Sequence, residues 1–243
     1  FIILNFSYSA VECQNGEAAG YPCSNVDLMS YLSLSQLGNP DNANDIWGWV
    51  DPVTGDPYGI LGLDTGTAFI RITDPENPLI IGYLPTHSSA SLWRDIKVYD
   101  NHAFIVSEAG GHGMQVFDLT RLRNVVNPPE TFTADANYNE FGKAHNIVIN
   151  EDSGSAYVVG SDTFNGGPHF INIQNPTSPV FAGGYADDAY SHDAQVITYN
   201  GPDADYTGRE ILIGSNENEV VIVDVTDKAN PTQISTIDYG NLG

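Results

Sequence analysis

The sequence predicts an all-β fold, a β-propeller of four-stranded blades, on three observations. Helical periodicity is nearly absent; short apolar runs bounded by Gly, Pro, Asn and Asp fill the chain from residue 44 onward; and these runs recur in units of near-constant length. Counted on Asp45, Asp95, Asn146 and Asp193, the second residue of each unit's opening polar pair, the steps are 50, 51 and 47 residues. Four strands in that length make one propeller blade. A two-layer sandwich is also all-β, but it gives no reason for such a repeat.

The first unit, 44–93, opens at Asn44 and Asp45 with "DIWGWVD" and continues through "YGILGL", "TAFIRI" and "LIIGYLP". The second, 94–144, opens at Arg94 and Asp95 with "DIKVYD", followed by "HAFIVSE" and "MQVFDL". The third, 145–191, opens at His145 and Asn146 and runs through "NIVIN", "AYVVGS", "HFINI" and "VFAGGY". The fourth, 192–243, opens at His192 and Asp193 and holds "DAQVITY", "EILIGS", "VVIVDV" and "TQISTI". Between third and fourth strands stand the turns "TDPENP", "QNPTSP" and "TDKANP", in which Asp or Asn can bond its own backbone and Pro begins an outer edge strand. The second unit departs from this with the longer "TRLRNVVNPPET".

Ahead of the repeat, "FIILNFSYSA" (1–10) is a short apolar run ending in small residues, read as the remnant of a signal peptide, with an edge strand as the alternative. In the segment 11–43, Cys13 and Cys23 flank a Gly-rich stretch, and with an export signal upstream a disulfide is expected over two free thiols. The apolar residues Val26, Leu28, Leu32 and Leu34 fit a strand as well as a helix.

Composition narrows the function classes. Eight basic against 31 acidic residues leave a net charge of −23, which repels nucleic acid and anionic lipid. No run of eighteen apolar residues occurs, so no membrane insertion by this segment is expected.

Six blocks of text, "GYPCSNVDLMSYLSLSQLG", "NDIWGWVDPVTG", "WRDIKVYDNHAFIVSEAGGHGMQVFDLT", "AHNIVINEDSG", "SHDAQVITYNGPD" and "VVIVDVTDKANP", together resemble the choice-of-anchor B proteins, propellers of the LVIVD-repeat type. The resemblance runs from the cysteine pair to the last residue. It implies a secreted or cell-surface protein, and a larger ring of which this chain is a fragment carrying four blades.

In a propeller the first strand of each blade lines the central channel. The opening pairs Asn44/Asp45, Arg94/Asp95, His145/Asn146 and His192/Asp193 are therefore expected as one polar ring at the channel mouth, joined by loop residues Asp64, Glu108, His112, Asp162, His169, Asn216 and Glu217. An Asp or Asn at strand entry also serves to cap turn amides and tie blades together. Only two units carry histidine in the opening pair, so His145 and His192, with Asp95 or Asp193, are the set suited to a divalent metal, zinc or calcium being the candidates. Arg94 would then steady an anionic group. His87, His102 and His112 have weaker claims and read as surface or capping residues, and the loop "DADYTGRE" lacks the ligands of a calcium loop.

No nucleophile elbow, H-E-x-x-H, phosphate loop or dinucleotide fingerprint is present. The expected function is a non-catalytic binding module for an extracellular protein, glycan or small ligand. The alternative is a metal-assisted hydrolase at the channel mouth.

Overall fold

The computed structural model describes residues 10–188 and 190–240. Two-residue strands β1 (Glu17–Ala18) and β2 (Tyr21–Pro22) form a small antiparallel pair in the N-terminal segment. The first large sheet holds β3 (Ala43–Val50), β4 (Pro57–Leu63), β5 (Gly66–Arg71) and β6 (Leu79–Pro85). The second sheet begins with β7 (Arg94–Tyr99), β8 (His102–Ser107) and β9 (Met114–Asp118). After a short 3-10 helix, Leu119–Asn124, and β10 (Glu130–Thr131), its fourth strand is β11 (Ala136–Tyr138). The third sheet is β12 (Asn146–Asn150), β13 (Ser155–Val159), β14 (His169–Asn172) and β15 (Val180–Gly184). The fourth is β16 (Ser191–Thr198), β17 (Glu210–Asn216), β18 (Glu219–Asp224) and β19 (Thr232–Asp238).

Each sheet is an antiparallel meander, and successive sheets pack face to face. Trp49, Tyr58, Ile60 and Phe69 of the first meet Ile96, Ile105 and Phe117 of the second. Phe104, Val106 and Val116 meet Ile147, Val158 and Ile171, and Tyr157 and Phe170 meet Val196, Leu212 and Val223. The alternating pattern explains this: with a side-chain period of two, each central strand supplies one core on either face. The result is an all-β, propeller-like arrangement whose inner strands neighbour one another in the order β3, β7, β12, β16. Among the described residues no comparable packing joins β16 back to β3.

The long turn of the second unit is an interlock. Its segment Glu130–Thr131 adds to the first sheet as a parallel edge strand against β6, with Glu130 opposite Gly82. Arg123, in the 3-10 helix, holds the buried carboxylate of Asp51 with two 2.6 Å hydrogen bonds, tying this insertion to the β3–β4 turn.

The Cys13–Cys23 disulfide is formed, with Cα atoms 5.9 Å apart. The signal-peptide reading falls on residues 1–9, outside the described residues, and on Ala10. Residues 24–38 form no regular helix; Leu28 bridges Val11, and Leu32 and Leu37 cover Leu63, Ala68 and Ile70 on the outer face of the first sheet. The outer face of the fourth sheet carries Ile197, Ile213, Ile222 and Ile237, alternating with its core residues, and Ile237 is 58% exposed.

Gly62, on β4, faces the bulge of its neighbouring strand β3, with Arg94 of the second sheet beside it: a Cβ there would lie 2.2 Å from the carbonyl oxygen of Asn44 and 3.5 Å from the Cβ of Arg94. Backbone cannot yield as a side-chain tip can. Gly62→Ala is expected to cost about 2 kcal/mol, read in a thermal melt as a Tm lower by roughly 4–8 °C.

Candidate functional site

The opening pairs converge because the inner strands enter side by side. Asp45, held in a left-handed conformation (φ 59°) at a β-bulge, accepts the backbone N–H of Ile96 at 2.9 Å. Asp95, one sheet on, accepts the N–H of Ile147 at 2.7 Å and that of Ile96 at 2.9 Å. Asn44 donates to the carbonyl of Arg94, and Asn146 to that of His192. Each carboxylate or amide thus fastens its own strand to the next.

These strands enclose a cavity of about 400 Å³ lined by Asp45, Trp47, Trp93, Asp95, His145 and Asp193, among others. Lys97 enters the same cavity, its Nζ 2.6 Å from Asp95 Oδ1 and 4.4 Å from the centroid of the Trp47 ring. Burial pushes the Asp95 carboxyl up to about 6, against the pull of the Lys97 ammonium and the Ile147 N–H.

His145 and His192 do meet, with ring centroids 4.3 Å apart. The Nδ1 of His145 lies 2.6 Å from Glu108 Oε1, so Glu108 orients the ring. Glu108 also borders a second cavity of about 380 Å³ with Lys143, Asp162 and Tyr190. Asp95 is committed to two backbone N–H groups and Lys97. The described residues contain no group of three or more His, Cys, Asp or Glu that could hold a metal ion.

Two expected mouth residues turn their side chains inward, although Arg94 still borders the cavity. Arg94 is 1% exposed, and its guanidinium donates to the carbonyl of Leu63, to Thr86 Oγ1 and to His112 Nε2, at 2.9–3.0 Å. Its guanidinium is not presented to an anionic ligand, because it is satisfied by Leu63 and Thr86 of the first unit and by His112 of its own. His112, expected at the mouth or as a capping residue, is fully buried against it. Since Arg94 can only donate, His112 Nε2 must accept, and its Nδ1–H donates to the carbonyl of Gly113 at 2.9 Å. Burial and the neighbouring guanidinium hold His112 down at about 4, and burial lowers Arg94 to about 10.

The loop residues divide similarly. His169 is buried between Tyr138 OH (2.8 Å) and Thr163 Oγ1 (3.0 Å), and burial lowers it to about 4. Asp162 accepts the N–H of Gly142, Asn216 donates to the carbonyl of Asp188, Asp64 is buried and Glu217 is exposed. His87 is exposed, and His102 is tied to the carbonyl of Asp100. The indoles of Trp47 and Trp93, 39% and 45% exposed at the cavity, were not among the sequence candidates. The signal for Trp47 was present, since it lies two residues past Asp45, on an inner strand.

No family model matches this chain, and no curated protein matches it. Solved structures do. A protein of Bacteroides uniformis assigned as a 6-phosphogluconolactonase is similar with a TM-score of 0.52 and 15% identity, over 84% of this chain and 58% of that one. The extracellular domain of a protein of B. thetaiotaomicron, assigned as a one-component system, is similar with a TM-score of 0.50 and 15% identity, over 82% of this chain and 24% of that one. The chain therefore spans little more than half of the first and a quarter of the second. At such identities the likeness shows the all-β, propeller-like fold alone.

The titrations of the site have a measurable consequence. His112 and His169 take up protons on unfolding between about pH 4 and 6.5, so the stability from keeping each neutral, roughly 3 kcal/mol, is full above pH 6.5 and lost as pH falls through 4. Asp95 acts oppositely, holding a proton in the folded state up to about pH 6 that the unfolded chain releases. Urea titrations between pH 5 and 6 are expected to show stability rising with pH by about one proton's worth, roughly 1.4 kcal/mol per pH unit, and Asp95→Asn to steepen that slope toward two.

Proposed function

We propose that this chain is four blades of a larger, exported β-propeller of the choice-of-anchor B kind, acting as a non-catalytic binding module through the mouth of its channel. The observation that carries the binding role is the cavity on which all four inner strands converge, with two partly exposed tryptophans in its lining. Exposed indoles beside convergent polar groups are what a ligand site needs, and a protein rarely leaves them uncovered without use.

The larger ring is supported by the arc β3–β7–β12–β16 and by the apolar outer face of the fourth sheet. Equivalent faces of the other sheets are packed against a neighbour. Export is supported by the disulfide, a bond that persists in oxidising surroundings. An extracellular protein, glycan or small ligand remains the class of partner.

A second reading, a hydrolase, is favoured by one contact: Glu108 orients His145 as a base would be oriented. A phosphorylated lactone is a poor substrate for this cavity, since the three carboxylates of Asp45, Asp95 and Asp193 outnumber the two lining cations, Lys97 and the inward-turned Arg94.

Both readings meet one experiment on the full-length protein: metal content, turnover of an ester, lactone and glycoside panel, and ligand-dependent tryptophan fluorescence with neutral sugars, amines and carboxylates. The binding module predicts a saturable fluorescence change lost in Trp93→Ala, and no turnover. Stoichiometric metal released by changing both His145 and His192 to Ala, or turnover abolished by His145→Ala, would replace it with the hydrolase.

A further inference from the structure

We infer that the channel-mouth cavity recognises an organic cation, an ammonium group held by the face of Trp93 and by the carboxylates of Asp45 and Asp193. This rests on the binding-module reading and gives it a ligand class.

The molecule supplies its own example of the contact. Within this cavity the Lys97 ammonium already lies over the Trp47 ring, 4.4 Å from its centroid, and 2.6 Å from the Asp95 carboxylate. An indole face attracts a cation through its quadrupole, and a nearby carboxylate adds direct charge attraction. The same two components recur in the cavity without a cation. Trp93 is 45% exposed and has His145 as its ring neighbour, 6.0 Å away, and no Lys or Arg stacks on it among the described residues. Asp45 and Asp193 line the cavity, each accepting a backbone N–H, from Ile96 and from Ala194, and neither forms an ion pair among the described residues.

Charge decides between ligand classes. Three carboxylates line the cavity against two cations, Lys97 and Arg94, and the Arg94 guanidinium is directed to Leu63, Thr86 and His112, so the lining carries a net negative charge. The whole chain carries −23, so the field around the mouth concentrates cations and excludes anions. A neutral saccharide could use Gln195 and Asn146, which also line the cavity, but it would leave the carboxylates of Asp45 and Asp193 uncompensated.

The test compares choline with its neutral carbon isostere, 3,3-dimethylbutan-1-ol, on full-length protein by calorimetry and tryptophan fluorescence, at low and high salt. Choline is expected to bind at least about tenfold more tightly than the isostere and to weaken with salt. Trp93→Ala and Asp193→Asn should each weaken it about tenfold, while Trp93→Phe, which keeps an aromatic face and guards against a folding failure, should retain most of the affinity. Equal binding of the two probes, or a neutral saccharide that binds in a Trp93-dependent way while choline does not, would overturn the cation and leave the binding module standing. No Trp93-dependent binding by any probe would overturn both.

Discussion

The arrangement depends on one repeated hydrogen bond: an acidic side chain at the entrance of an inner strand accepting a backbone N–H from the inner strand of the next sheet. Asp45 does this for Ile96 and Asp95 for Ile147. The bond satisfies an amide at the strand's entrance, where no backbone partner of its own sheet is used, and it sets the spacing between sheets. Because the carboxylates must stand at strand entrances to do so, the same bond gathers them around one cavity. Structure and site are therefore the same residues seen from two sides.

That double use shapes the chemistry available. A carboxylate bound to one or two backbone N–H groups is held rigidly and is a poor candidate to reorganise around a metal, but it still offers charge. Asp95 has consumed its share on Lys97, whereas Asp45 and Asp193 have not. The histidines follow a different logic. His112 and His169 are neutral structural groups inside the packing, while His145 and His192 meet at a tilt, where Glu108 fixes one ring. Buried Arg94 joins the second sheet to the first by the polar route, through Leu63 and Thr86, where Phe69 and Phe117 join them by the apolar one.

Much of this was legible beforehand. The strand runs, the four-unit repeat and the convergence of Asp45, Asp95, His145, Asn146 and Asp193 follow from period-two alternation and a repeat near fifty residues, and the disulfide from two cysteines flanking a Gly-rich stretch, all of them local or periodic signals. The fates of Arg94 and His112 were not legible. They occupy mouth positions in the repeat, yet one hydrogen bond between them turns both inward. The parallel strand Glu130–Thr131 was equally hidden, since its pairing with β6 joins segments nearly fifty residues apart and no short pattern encodes it.

The amino-acid sequence by itself determined where most strands of the four units run, which face of each is apolar, and which polar residues stand at the head of each unit, because these depend only on neighbours along the chain. Tertiary structure alone decided which of those heads remain open to solvent and which are consumed in fastening sheets. It also brought Trp47 and Trp93 to a common cavity beside unpaired carboxylates. The physical reason is that hydrogen-bond satisfaction and exposure are properties of the packed assembly: a side chain's partner is whatever the neighbouring sheet places within 3 Å of it.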